Sequence, residues 1–315
     1  MVFVLANEMD WPQRSATTGF VADDRDDPGQ MVSLYSALRD RNRCNHRDYH
    51  NIAVNGARAG DMNSTIVRSF QRSQELDKPV LVSFALIGND VCSGHPDYWN
   101  HMTKPEDFHD SVVSSLEYLD TVLPSGSHVM LIGVAHGSVL YDTMHNRTHP
   151  VGTQYENLYD WLNCLEMSPC LVWMNSNEST RNAGDARAAE LNAQWSPPIL
   201  NSVLSSVMSY LEVSYDLFTW RRYSKIILER NFSHFDLQYY DFPAEEVLKR
   251  WMARGGEGYW QLIEPNDGFH PNLISNAITA EVYLDYIQRD HPEWLGPVNA
   301  NNAKIQELFG DQGGY

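Results

Sequence analysis

The chain alternates short apolar runs with longer amphipathic stretches. Its two most apolar runs are Pro79-Val-Leu-Val-Ser-Phe-Ala-Leu-Ile87 and His128-Val-Met-Leu-Ile-Gly-Val-Ala135. A near-continuous run of this length, bounded by turn residues, is the pattern of a strand buried on both faces of a parallel sheet. Phe235-Asp-Leu-Gln-Tyr-Tyr-Asp-Phe242 alternates and reads as a later strand. Tyr49-His-Asn-Ile-Ala-Val54 reads as a shorter one ending at Asn55-Gly56. Helical patterns lie between. One covers Ser33–Asp40. Another is capped by Asp61 and runs to about Leu76, and a third runs from Thr103 to about Leu123. Ala244–Arg254 stops at Gly255-Gly256, and Pro271–Arg289 is the last long helix. Strands alternating with helices predict a doubly wound α/β fold, in which chemistry sits at the C-terminal strand ends. Asn55-Gly56 and Gly88-Asn89-Asp90 occupy such ends, and no internal repeat is present.

Composition narrows the picture. The 315 residues, 43% hydrophobic and 20% charged, suffice for one large α/β domain or two modest ones. A formal net charge of −18 excludes a nucleic-acid partner, because phosphate binding needs a Lys/Arg surface. The same charge repels anionic membranes, so an anionic lipid substrate would be held by its acyl chains or by a bridging cation. No stretch approaches the ~20 apolar residues of a transmembrane segment. Met1–Ala6 is apolar but lacks a basic start and is shorter than the usual ~7–15-residue signal core. Residues 1–30 read as a polar loop. Within it, Asp23-Asp24-Arg25-Asp26-Asp27 reads as a solvated run, with calcium binding as the alternative. Four cysteines, Cys44, Cys92, Cys164 and Cys170, allow three pairings. Four N-x-S/T sequons, at Asn63, Asn146, Asn177 and Asn231, accompany them. Together they point to a secreted protein or a lysosomal or vesicular lumen, and hence to a longer precursor.

Three motifs carry chemistry. In Asp267-Gly-Phe-His270 a carboxylate three residues before the imidazole can orient it through Nδ1–H and leave the other nitrogen as a base. The alternative is a surface loop. In Gly88-Asn89 the amide can donate to an oxyanion, the alternative being an ordinary strand-end turn. In Val54-Asn-Gly-Ala-Arg-Ala-Gly-Asp61 the Gly56 N–H is a second possible donor. A phosphate cradle or a plain turn are the other readings, and no glycine-rich Lys-Ser/Thr pattern is present. Cys44 and Cys92 near His46 and His95 permit a zinc reading, but the spacings match known fingers poorly. A Cys44–Cys92 disulfide is preferred, and Cys164 and Cys170 can close a short loop.

Taken in order, Gly56, Asn89 and the Asp267/His270 pair resemble three of the four sequence blocks of the SGNH hydrolases. Arg43-Cys-Asn-His-Arg-Asp-Tyr49, Ala85-Leu-Ile-Gly-Asn-Asp-Val-Cys92, Pro265-Asn-Asp-Gly-Phe-His-Pro271 and Phe309-Gly-Asp-Gln-Gly-Gly314 resemble the catalytic subunit of the acyloxyacyl hydrolase family, across about residues 7–195 and 225–315. The resemblance implies an SGNH-hydrolase-like (flavodoxin-like) three-layer α/β fold with a parallel sheet. It implies a serine esterase that removes secondary fatty acyl chains from the lipid A of bacterial lipopolysaccharide. His270 would be the base, Asp267 its orienter, and Gly56 and Asn89 the oxyanion hole. No cofactor is required for that chemistry. Calcium in the full-length protein would bind an upstream segment, and a saposin-like small subunit would be a partner, reached by Cys164 or Cys170.

The family's Gly-Asp-Ser block lies upstream of the segment seen here as Trp11-Pro12-Gln13. This chain has Gly60-Asp-Met, Gly184-Asp-Ala and Gly310-Asp-Gln, but no Gly-Asp-Ser. The expectation is a single catalytic domain over residues 1–315, N-terminally truncated, without a nucleophile and inactive alone. Its sheet would lack the first central strand, between those ending at Ile87 and Val54. The alternative is a non-catalytic lipid-binding pseudoenzyme or a fragment. Residues 195–223 match nothing in the family and read as an insertion or as retained intron sequence.

Overall fold

A computed structural model describes residues 12–20, 32–70, 72–194 and 230–310. In chain order its longer elements are α1 (Leu34–Arg41), β1 (Leu81–Ala85), α2 (Pro105–Val122), β2 (Ser127–Ile132), α3 (Tyr155–Cys164), α4 (Glu178–Asn192), β3 (Phe235–Tyr240), α5 (Ala244–Ala253), α6 (Leu273–Asp290) and α7 (Asn302–Phe309). The chain divides into two compact units, residues 56–242 and residues 1–55 with 243–315.

The first unit holds a mixed α/β arrangement. Among the described residues its sheet has three parallel strands in the order β1-β2-β3, flanked by helices. Register runs Leu81 opposite His128 to Ala85 opposite Ile132, and Ser127 opposite Phe235 to Ile132 opposite Tyr240. Parallel neighbours need a crossover, and α2 supplies the one between β1 and β2. That helix begins with Pro105, whose missing N–H costs nothing at a first helical position. It buries Phe108, Val112, Leu116 and Leu119, the stripe that a 3.6-residue period puts on one face. β2 is the central strand, with Val129, Met130, Leu131 and Ile132 all buried. The last residue of α4 fastens the chain just beyond it: Val134 N–H donates to Asn192 Oδ1 (2.6 Å), and Asn192 Nδ2 donates to the Val134 carbonyl (2.8 Å).

The second unit is helical among its described residues. Val247 of α5, Leu262, and Ile278 and Val282 of α6 form its buried cluster, with Leu248, Trp251, Tyr259 and Tyr286 packed around it. α1 starts at a capping box in which Ser33 Oγ accepts from Ser36 N–H and Ser36 Oγ from Ser33 N–H. Its C-terminal carbonyls are taken by Asn302 Nδ2, which donates to Asp40 O and Arg41 O at 3.1 and 2.9 Å.

Four expectations change. Tyr49–Val54 forms no strand. A strand needs a neighbour's backbone, and here Ala53 N–H donates to Asn51 Oδ1 (3.0 Å) while Asn51 Nδ2 donates to Thr18 Oγ1 (2.9 Å). No central strand can therefore be framed by a strand ending at Val54. The helix after Gly56 does not reach Leu76, and Asp61 is not its N-cap. Arg58 holds that position and its N–H donates to Asp61 (3.0 Å). The coil then passes from α to π to 3-10 geometry and ends at Ser69. Thr65 and Ser69 hydroxyls bond back to the Asp61 and Ile66 carbonyls, a competition that weakens a helix ladder. β1 is shorter than its apolar run and only Phe84 in it is buried, because one flank has no strand beside it among the described residues. Finally, Cys92 bonds Cys170, leaving Cys44 and Cys164 exposed and unbridged. The two segments are already joined by Leu171 N–H donating to Ser93 O (2.9 Å), which brings Cα92 and Cα170 to 4.5 Å. The expected insertion at 195–223 and the acidic run at 23–27 lie outside the described residues.

Candidate active site

In the helical unit, Asp267 and His270 sit in the loop before α6. The loop is closed by two backbone bonds, Glu264 N–H to His270 O (2.7 Å) and Gly268 N–H to Glu264 O (2.9 Å). Gly268 has φ +65°, a left-handed conformation that glycine adopts without a Cβ clash. Asn272 then caps α6, accepting from Ser275 N–H, while its Nδ2 donates to Gln261 O (2.8 Å). The buried Asp267 carboxylate takes three bonds. Its Oδ1 accepts from Phe269 N–H (2.8 Å) and His270 N–H (3.0 Å), and Oδ2 stands 2.6 Å from His270 Nδ1. An ionised carboxylate can only accept, so it selects the tautomer with hydrogen on Nδ1 and the lone pair on Nε2. The Phe269 ring meets the imidazole edge-on at 4.8 Å and the His270 side chain is 35% exposed. A held, oriented, solvent-reachable imidazole is what a general base requires.

In the sheet unit, Asn89 follows β1 at the C-terminal edge, on a single turn in which Val91 and Cys92 N–H both donate to Gly88 O at 2.9 Å. Its Nδ2 donates to Ala57 O (3.0 Å), which occupies one amide hydrogen and leaves the other. Gly56 is exposed with φ +76°, and among the described residues its N–H has no acceptor. An added methyl there would meet nothing within 4 Å, so the glycine serves the backbone conformation and not a packing gap. Gly56 and Asn89 are thus brought onto one loop pair by the Asn89–Ala57 bond.

Two residues without a role in the sequence reading matter here. Asp90 is fully buried and accepts from Ala59 N–H at 3.1 and 3.2 Å. Burial pushes its carboxyl above the usual carboxylate range, opposed by the Thr103 hydroxyl, the Ala59 N–H and the Arg58 charge. Arg58 donates to Cys92 O (2.7 Å) and His101 O (2.5 Å). The adjacent letters Asn89-Asp90 carry a signal for the first, since a carboxylate next to a strand-end amide is a ready backbone acceptor. Nothing in the letters marks the second.

Among the described residues no group of three or more His, Cys, Asp or Glu could hold a metal ion. Cys92 is consumed by its disulfide, which removes it from any zinc set with Cys44, His46 and His95. No described helix is long and apolar enough to cross a membrane. Asn146, Asn177 and Asn231 are exposed, while Asn63 is half-buried with its Oδ1 enclosed.

The chain is similar to curated acyloxyacyl hydrolases. It is 42% identical to that of Oryctolagus cuniculus and 40% to that of Homo sapiens, in each case over 99% of its own length. The protein of Mus musculus is 38% identical over the same share. The chain spans about half the length of these relatives, 49–50%. No family model matches it.

Proposed function

We propose, for a chain that is a relative of the acyloxyacyl hydrolases over nearly all of its own length, that it supplies the base and the oxyanion donors of a serine esterase of the SGNH class. The observation that carries this is the Asp267–His270 pair, with Oδ2 and Nδ1 at 2.6 Å and the imidazole side chain 35% exposed. The serine comes from a Gly-Asp-Ser segment outside these residues, since the 315 contain no such string.

His270 Nε2 takes the serine hydroxyl proton as Oγ bonds the acyl carbon. The carbonyl electron pair moves to oxygen, which receives the Gly56 N–H and the free Asn89 N–H. Collapse breaks the bond to the leaving alkoxide, and the His270 imidazolium protonates it. Water then attacks the acyl-serine with His270 again as base, the acyl–Oγ bond breaks as the imidazolium returns that proton to the serine oxygen, and a fatty acid is released. Asp267 holds the tautomer and stabilises the imidazolium without taking a proton. The relatives' name specifies an acyl chain esterified to another acyl chain, and we assign this chain the same bond. The secondary acyl chains of lipid A are the proposed substrate, a saposin-like subunit the partner, and an extracellular or lysosomal lumen the setting. A net charge of −18 leaves acyl burial, not phosphate pairing, to hold that lipid.

The test is His270→Ala in the full-length protein. Loss of a triad base should lower kcat by roughly 10⁴-fold or more while lipid binding persists. Near-normal turnover would remove His270 from the chemistry. The alternative is a lipid-binding protein without turnover. Stoichiometric lipid binding with no acyl release from the full-length protein would select it.

A further inference from the structure

We infer that Asp90 and Arg58 are positioning residues that set the aim of the oxyanion donors, an inference resting on the esterase reading above. The problem they solve is geometric. Gly56 lies in an exposed turn before a coil that is irregular from its start, and such a turn has no ladder of its own to hold an N–H in place. Oxyanion donors act only within a few tenths of an ångström of the developing charge, so the turn must be fixed from outside.

The three residues after Gly56 are each bonded to the stretch after β1. The Ala57 carbonyl accepts from Asn89 Nδ2 (3.0 Å). The Arg58 guanidinium donates to the Cys92 and His101 carbonyls (2.7 and 2.5 Å). The Ala59 N–H donates to both Asp90 oxygens (3.1 and 3.2 Å). An amide NH₂ is planar, so committing one hydrogen to Ala57 sets the direction of the other. That direction is only as firm as Ala57 itself, which Asp90 and Arg58 anchor from the two following residues. The same anchors fix the backbone plane that carries the Gly56 N–H.

A buried carboxylate is a poor device for stability alone, since its desolvation offsets much of what its bonds contribute. Asp90 is fully buried, and its bonds run to the loop that carries the donor. The Cys92–Cys170 disulfide ties the last residue of the same turn to Cys170. Donors are held in the pose that charge development demands, with no reorganisation left for the reaction step.

The test uses the full-length protein with a soluble acyl ester. Asp90→Ala should lower kcat about 10–100-fold with KM within twofold, and Asp90→Asn, which keeps an oxygen for Ala59 N–H, should recover most of the loss. In the Asn89→Ala background the cost of Asp90→Ala should shrink several-fold, because part of it is exerted through Asn89. If Asp90→Ala does not fold, Arg58→Gln carries the same expectation at about 3–10-fold. The Asn89 side-chain amide, read by nitrogen–proton NMR, should lose protection from exchange in either variant. Costs that are fully additive with Asn89→Ala, or that fall on KM alone, overturn the inference while leaving the esterase reading intact. A wild-type protein without His270-dependent turnover overturns the esterase reading. The Asn89 amide signal then still decides whether Asp90 and Arg58 hold it.

Discussion

Trp173 sits in a cradle made by three glycines far apart in sequence, and Gly137→Ala tests that packing. A methyl at Gly137 would stand 2.2 Å from Trp173 Cδ2, 2.3 Å from Cε3 and 2.7 Å from Cε2. Carbon atoms rest at about 3.5–4.0 Å, so the ring must retreat by more than an ångström. Its retreat is blocked. A methyl at Gly184 would lie 2.7 Å from Nε1 and one at Gly88 would lie 3.3 Å from Cζ3, so both backbones already touch the ring. Trp173 is only 2% exposed, and Gly88 leads directly into Asn89. Overpacking of this kind costs about 1–3 kcal/mol, and a ring with no free side belongs at the upper end. With a urea slope of about 3 kcal/mol per molar, a loss of about 3 kcal/mol moves the unfolding midpoint by about 1 M. The assay is urea unfolding of the full-length protein followed by circular dichroism. Gly137→Ala and Gly184→Ala should both cost well more than Gly88→Ala, and adding Trp173→Phe to Gly137→Ala should restore part of the loss. A Gly137→Ala midpoint equal to wild type, or a double variant no better than the sum of its parts, would refute the cradle.

Other consequences follow from single contacts. Digestion without reduction should yield one cross-linked peptide joining Cys92 to Cys170, while Cys44 and Cys164 take an alkylating label in the native protein. A Cys44–Cys92 peptide would contradict the structure. With a sequence separation of 78 between the bridged cysteines, the loop-entropy relation gives a loss of about 4.5 kcal/mol on reduction, readable as a fall in the urea midpoint. Burial raises the Asp90 carboxyl in the folded state, against the opposing Arg58 and alongside Asp61, so the folded protein binds that proton more tightly than the unfolded one. Its contribution to stability therefore falls as pH rises above about 4 and levels off above the folded value. Wild type should lose stability relative to Asp90→Asn over that window, and a difference that stays flat or grows with pH would contradict the burial argument. Asn89→Ala should lower kcat by roughly 100–1000-fold with little change in KM, as for one lost oxyanion donor. An effect on KM alone would make Asn89 a substrate contact.

Parts of this fold are written in local pattern. β2 reads directly from His128–Ala135 because a central strand is apolar on both faces. The starts of α2 and α6 read to within two residues, from Thr103 and Pro271 against Pro105 and Leu273, because start signals act within a few residues. The Asp267–His270 pair is legible for the same reason, being three residues apart. What fails is what depends on distant neighbours. Tyr49–Val54 has strand-like letters but no strand beside it among the described residues. Four cysteines allow three pairings, and only the approach of residues 93 and 171 selects Cys92–Cys170. The Trp173 cradle joins Gly88, Gly137 and Gly184, which no spacing rule connects. Asp90 lies inside a string already marked as chemical, yet its service to Ala59 appears only once the two loops are placed together.

The central claim is a serine esterase whose base is His270, and labelling of the full-length protein with a fluorophosphonate tests it most directly. Mass spectrometry of the digested adduct should place one label on the serine of a Gly-Asp-Ser segment outside these 315 residues. His270→Ala, expressed and folded, should take the label at least 100-fold more slowly, because the base that activates the hydroxyl is gone. A label on a serine within the 315 residues, or labelling at the wild-type rate without the His270 imidazole, would contradict the account.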